Sequence, residues 1–330
     1  MRVYYQRNFF ILLCVTLMFI STVFIAGAYP EKDVTNIIPW SAGGGTDAAM
    51  RGIMNYAEKE LGITIVNQNI TGATSGVGIF RLMISRPDGY TIGSLTWDSI
   101  ITVPYYNLVP GYDLDKLDYI CTVTEHPTVL AVRSDSPWET LDEFINDAKD
   151  NPGELTISNA GTGGVNHLPA LDFAEKVGIE VRHVPFPKGS APQRESLLSG
   201  ETDVASISLS TAIPSLQSGD LRVLGVMGEN RSKSVPDVPT FKELGYDVVW
   251  GSFRLVAVPK GVSEERKAIL EEAFRSVYEN DEFIQWATKI GLGAEWKNSE
   301  ETTEYVKNIQ KRAFDLIDEL VEKGLLEKNL

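Results

Sequence analysis

Cysteine and histidine are scarce in this chain, with Cys 2 and His 3 among 330 residues. Cys14 lies in an N-terminal apolar run, so Cys121 stands alone in the remainder. No disulfide can form there, and a buried bystander thiol is the expectation. No cysteine or second histidine stands at ligand spacing from His167, which argues against a metal site, and no cofactor is expected. Positive charge is also short: Lys and Arg number 30 against 45 Asp and Glu, a net charge of −15. That balance argues against nucleic-acid binding, which wants a basic face. A Gly-x-Ser-x-Gly elbow is missing too. A hydrolase using a serine with His167 or His183 is therefore poorly supplied, and His126, directly before Pro127, reads as structural.

Only one long apolar stretch is present, Phe9 to Ile25. Arg2 and Arg7 precede it and Ala26-Gly27-Ala28 follows, the pattern of an export signal cleaved after Ala28. An uncleaved anchor is the alternative, the run being slightly short of a membrane span. Leu13 before Cys14 does not suit a lipoprotein cysteine. The mature chain, 29–330, is then exported and more acidic by two charges. Its roughly 300 residues exceed what one core usually carries, so two lobes are expected.

Apolar runs alternate with helical patterns throughout, which predicts α/β layers. Strands are expected at Val34–Ile38, Tyr90–Leu95, Tyr119–Val123, Val129–Val132, Asp203–Leu209 and Val248–Trp250, among others. Two glycine loops of nearly the same wording join a strand to a helix. The first is Ser41-Ala42-Gly43-Gly44-Gly45-Thr46-Asp47; the second is Asn159-Ala160-Gly161-Thr162-Gly163-Gly164, reaching His167-Leu168. A strand, a glycine loop and a helix N-terminus together present free amides and a positive dipole end. Two such devices, a domain's length apart, suggest two lobes gripping one anion.

These strings come in a family-like order. Pro39 to Asp47 with Arg51, Asn69 to Gly78, Pro87-Asp88-Gly89-Tyr90-Thr91, and Ser158 to Leu168 are followed by Lys188-Gly189, Gly200 to Val204, Arg222 to Val226 and Pro236 to Tyr246. The chain resembles the solute-binding proteins of tripartite tricarboxylate transporters, the Bug family, over essentially its whole mature length. The resemblance implies a two-lobed periplasmic binding protein of type II-like form, two α/β domains hinged around a ligand cleft. Lobe 1 would be 29–127 plus 247–330, and lobe 2 would be 128–246. It implies a monomer that captures a small organic anion, a di- or tricarboxylate or other carboxylate, for a membrane permease. A sensory module that shows its ligand to a receptor kinase would use the same cleft.

On that reading Ser41, Gly43, Gly44, Gly45 and Thr46 meet the ligand from lobe 1, while Asp47 caps or braces its loop. Thr74, Ser75 and Gly76 line the cleft, with Ser94 and Thr96 at the end of a strand where open sheets place ligands. Trp97 is either a wall or core. Ser158, Gly161, Thr162, Gly163 and Gly164 answer from lobe 2. His167 either braces its helix start or donates to a carboxylate. Arg51, Lys188 and Arg194 are candidate counter-charges in a chain with many carboxylates to occupy them. Many family members carry an aspartate for a ligand's ammonium in the strand after Gly200-Glu201-Thr202-Asp203. The aligned position here is Ile207, flanked by Ser206 and Ser208 as candidate ligand contacts, which favours a ligand without an amino group.

Overall fold

The computed structural model describes residues 29–159, 161–186, 190–290 and 292–327. The signal expected over 1–28, and Lys188, lie outside them. Strand β1 (Val34–Ile38) runs into the first glycine loop and then α1 (Gly45–Leu61), whose Met50, Ile53, Met54 and Ala57 form one buried stripe. β2 (Ile65–Asn69), α2 (Gly76–Met83) and β3 (Thr91–Thr96) follow, and β1 pairs in parallel with both β2 and β3. Two short helices, α3 (Trp97–Ile100) and α4 (Thr102–Tyr105), lead to β4 (Leu117–Arg133) and to α5 (Leu141–Asp150).

The pattern then repeats. β5 (Thr156–Asn159) runs through the second glycine loop into α6 (His167–Val177), β6 (Arg182–Pro185), α7 (Ser190–Ser199) and β7 (Val204–Ser208). β5 pairs in parallel with β6 and β7. The chain continues through α8 (Leu209–Gln217), β8 (Leu221–Val226), β9 (Gly251–Pro259), α9 (Glu264–Tyr278), α10 (Asp281–Lys289), β10 (Ala294–Lys297) and α11 (Ser299–Glu322).

The sheet order is β2-β1-β3-β9-β4-β7-β5-β6, with β8 and β10 also on β4. In each parallel triplet the first strand in sequence lies in the middle, the second on its outer side and the third on its inner side. That order puts a topological switch point beside β1 and another beside β5, and the crevice above such a point is where open α/β sheets hold ligands. Each glycine loop leaves the strand at its own switch point.

β4 joins the two triplets. Its 17 residues pair with β9 as far as Pro127↔Gly251, then with β7 from Thr128↔Ser208 and with β8 from Val129↔Val226. Two separate strands were expected here and one is found. Pro127 has no N–H for the ladder, so pairing with β9 ends beside it, yet its φ suits extended backbone and the strand continues. At the crossing, Thr128 N–H donates to Trp250 C=O (2.9 Å), Met227 N–H to Thr128 C=O (2.8 Å) and Trp250 N–H to Met227 C=O (2.7 Å). Those bonds tie down Val248–Trp250 without making it the expected strand.

Trp97, Trp250, Phe253, Phe144, Phe173 and Phe241 belong to one apolar cluster. Trp97 meets Trp250 edge-on at 5.7 Å, so it is core and not a cleft wall. Cys121 is fully buried, which pushes its thiol pKa up. Among the described residues no helix is long and apolar enough to cross a membrane.

Candidate functional site

The two glycine loops are held by the same device. In the first, Gly43 has φ +79° and its N–H donates to Asp47 Oδ2 at 2.9 Å. In the second, Gly163 has φ +68° and its N–H donates to His167 Nδ1 at 2.9 Å. In both, the acceptor lies four residues on, in the first turn of the following helix, and folds the loop back over the helix start. Both left-handed conformations exclude a β-branched residue without strain.

The two acceptors differ electrically. Asp47 is buried, which pushes its pKa up, but bonds from Asn69, Gly43 and Arg51 more than reverse this and hold the carboxyl below its ordinary value. Arg51 Nε and Asn69 Nδ2 both reach Asp47 Oδ1 at 2.8 Å, and Arg51 also reaches Asn69 Oδ1. Arg51 is therefore part of the brace. Burial and, secondarily, His183 pull the His167 pKa down to about 3. Its imidazole is neutral at pH 7. With Nδ1 accepting, the proton sits on Nε2 as a donor.

The brace uses some of the expected ligand donors. Gly43 N–H belongs to Asp47, and Gly44 N–H is turned onto Ser41 C=O at 3.2 Å. These two glycines shape the loop and do not supply free amides. The amides of Gly45 and Thr46, in the first turn of α1, have no partner among the described residues. In the second loop Gly163 N–H is likewise taken, while those of Gly161, Thr162 and Gly164 have no described partner.

Other expected residues move inward. Ser75 is buried and shares a hydrogen bond with Ser99 at 2.9 Å, and Gly76 packs against Val103 and Val109. Of that trio Thr74 alone is exposed, in a run with Ala73 and Ser75 where all three residues have positive φ. Ser94 is fully buried and donates to Asn36 Oδ1 at 2.9 Å, while Thr96 accepts from Trp40 Nε1 at 3.1 Å. Ser158 is fully buried and donates to Val204 C=O at 3.2 Å. Ser208 shares a hydrogen bond with Ser252 across the strand crossing at 3.2 Å. Ser75, Gly76, Ser94 and Ser158 are thus structural, because strand and helix periodicity turns them into the sheet and core.

Ile207 packs in an apolar cluster with Val129, Ala131 and Leu197. Alternation along β7 puts Ser206 and Ser208 on the opposite face from it. Neither is a carboxylate, and Asp203 is engaged by the N–H and hydroxyl of Thr156.

Sequence reasoning missed Asn159, Gln193, Asp98 and Arg254 as site groups, while Ser206 is one of the expected ligand residues. Asn159 follows Ser158 on β5, one residue beyond the Ser158–Ala205 pair, which aligns it with Ser206. Both are fully buried, and neither the Asn159 amide nor the Ser206 hydroxyl has a partner among the described residues. Gln193 bridges the backbone there, donating to Ser158 C=O and Ser206 C=O. Asp98 follows Trp97 off the end of β3 and accepts from Thr102; burial raises its pKa to about 6. Arg254, a lone cation in the apolar strand β9, reaches Thr46 of the first loop. That solitary charge between Phe253 and Leu255 was the available signal.

The sequence model of the tripartite tricarboxylate transporter family receptor, TctC, matches residues 49–321. The chain belongs to the TctC family. It is 31% identical over 297 residues to a UPF0065 protein in the gbd 5′ region of Cupriavidus necator, covering 89% of each chain. Its fold is similar to that of a TctC solute-binding protein from Polaromonas (TM-score 0.80, 28% identity, 88% of this chain and 100% of that one). It is also similar to MatC from Rhodopseudomonas palustris with bound malate (TM-score 0.70, 25% identity, 87% and 99%). TctC proteins are periplasmic solute-binding receptors with a two-lobed α/β fold, so this chain belongs to a receptor family and not to a family of enzymes.

Proposed function

We propose that this TctC protein captures a small organic anion, a di- or tricarboxylate or other carboxylate, between its two glycine loops. It then delivers the anion to a tripartite tricarboxylate-type membrane permease. The observation that carries this reading is the matched pair of loops at the two switch points, each braced from the fourth residue on and each keeping amides without a partner among the described residues. Oriented amides suit an acceptor-only ligand, and a hydrogen bond to a charged acceptor contributes about 1.5–3 kcal/mol. The bound malate of MatC supports the same chemistry.

In this reading lobe 1 is 29–127 plus 247–330 and lobe 2 is 128–246, with the chain exported by a cleaved signal over 1–28 and acting as a periplasmic monomer. The partner switch of β4 beside Pro127 supports that boundary. With Ser206 and Ser208 on the face of β7 opposite Ile207, the position aligned with the family's aspartate carries no charge for an ammonium, which favours a ligand without an amino group. A thermal-shift screen of residues 29–330 against carboxylates and amino acids at millimolar concentration tests this. Binding to the folded state alone raises the melting temperature as the logarithm of ligand over Kd. The reading expects shifts with malate, succinate or citrate. Shifts with amino acids alone would overturn its ligand class.

A further inference from the structure

Arg254 stands in register with Thr96, the last residue of β3, and with Thr124 of β4. It therefore lies at the carboxyl edge of the first parallel triplet, where the crevice opens. Its Nε donates to Thr46 Oγ1 and its Nη1 to Thr124 Oγ1, each at 3.3 Å. These are long bonds to neutral hydroxyls, and they leave most of the five guanidinium donors unused.

No carboxylate among the described residues forms an ion pair with it. The neighbouring acid on β4, Glu125, is held by Lys297 and Tyr305 instead. His126, on the same strand, feels the Arg254 charge but is neutral: burial first, and that charge second, pull its pKa to about 3. Arg254 is half-buried, and burial pulls its pKa down to about 10, the direction expected of a partly desolvated cation without a counter-ion. Proteins rarely leave such a charge uncompensated, because the desolvation is not repaid.

What lies beside the guanidinium is the start of α1. Thr46 carries the hydroxyl that Nε touches, and the amides of Gly45 and Thr46 are the ones left without a described partner. The dipole end of a 17-residue helix and a cation thus converge on one spot. We infer that Arg254 is the counter-ion of the ligand's carboxylate, making the first wall of the cleft selective for a full negative charge over a neutral oxygen. This rests on the proposed capture of a carboxylate at the glycine loops. It adds the side chain that enforces it, a planar fork that meets a carboxylate bidentately while the first-turn amides take the remaining lone pairs.

Titration calorimetry at pH 7.5 with malate, and with its uncharged diamide as the control, tests the assignment in wild type, Arg254→Gln and Arg254→Lys. The expected result is malate binding weakened at least 100-fold in Arg254→Gln and roughly 5- to 30-fold in Arg254→Lys, which keeps the charge but not the fork. The diamide should bind all three proteins equally poorly. The unliganded melting temperature should be unchanged or higher in Arg254→Gln, since an uncompensated charge has been removed. Malate binding within threefold of wild type in Arg254→Gln overturns the role of Arg254 and leaves carboxylate capture intact. A large drop in melting temperature, with Arg254→Lys binding malate like wild type, overturns it in favour of a supporting role. Wild type that binds neither malate, succinate nor citrate contradicts both the assignment and the proposed function.

Discussion

Asp47 and His167 occupy equivalent places and respond oppositely to acid. Asp47 has its pKa depressed by three donors and stays charged across the physiological range. His167 accepts from Gly163 only while neutral, so protonation removes the brace of the second loop. Its folded pKa of about 3 lies below the ordinary 6.5, so the unfolded state takes up the proton first and stability falls as pH drops through 6.5 toward 3. At pH 5 this one group costs about 2 kcal/mol. His126 (about 3) and His183 (about 4) act with the same sign. Asp98, raised to about 6, acts the other way below that pH, by about 1 kcal/mol at pH 5. Urea unfolding should therefore show a lower stability at pH 5 than at pH 7.5. His167→Gln, which keeps an acceptor but cannot titrate, should lose about 2 kcal/mol less over that interval. Equal losses in the two proteins would mean that His167 is not neutral in the fold. On the first loop, Asp47→Asn leaves Arg51 without its carboxylate, and a cost of about 1–3 kcal/mol in the same assay is expected.

At the scale of elements, the unit that matters is strand, glycine loop and helix start, used after β1 and again after β5. Gly43 and Gly163 are its sensitive points, because their positive φ lets the amide turn onto the brace. Gly43→Val and Gly163→Val should each weaken carboxylate binding by 100-fold or more while far-ultraviolet circular dichroism stays unchanged, since each change is confined to a loop between a strand and a helix, the first exposed and the second buried at Gly163. Retained affinity in both would show that the loops are not the ligand's donors. These loops were legible in the sequence because glycine runs between apolar and amphipathic segments have few other uses. What was not legible is which atoms remain free. Ser158 and Asn159 are adjacent and both polar, and only the pairing register of β5 turns the first into a backbone bond and leaves the second without one. The amides of Gly43 and Gly44 look available in any sequence reading until Asp47 and the Ser41 carbonyl are seen to take them. α8 was unforeseen because Pro214 and several small polar residues hide its stripe. The sequence pattern shows β4 as two strands, Tyr119–Val123 and Val129–Val132, because its continuity through Pro127 depends on partners far away in sequence.

Across the whole molecule the strand crossing is reinforced by a polar knot in the core. Asp172 on α6 is buried, accepts from Trp250 Nε1 at 2.5 Å and from Lys176, and pairs with Arg312 of α11 at 3.4 Å, while Arg312 lies over the Trp250 ring at 4.5 Å. Trp250 in turn packs on Trp97, which follows directly from the end of β3. The helix that begins at the second glycine loop is thereby fastened to the crossing and to the C-terminal helix. Asp172 and Trp250 are buried, but the Lys176 and Arg312 side chains are 38% and 34% exposed, so water screens the charges left behind; Asp172→Asn should lower the unfolding free energy by about 1 kcal/mol and shift the tryptophan emission. An unchanged urea midpoint would show that the knot is not a structural tie. The fold class and the receptor family were readable from motif order alone, whereas this knot joins residues far apart in sequence that no local pattern connects.

Whether both loops grip one anion is decided by a crystal structure of the protein with a bound carboxylate such as malate. Carboxylate oxygens are expected within about 3.2 Å of the amides of Gly45 and Thr46, with the same ligand reaching the amides of Gly161, Thr162 or Gly164. A ligand that touches one loop only, or that lies away from both, would contradict the two-loop grip.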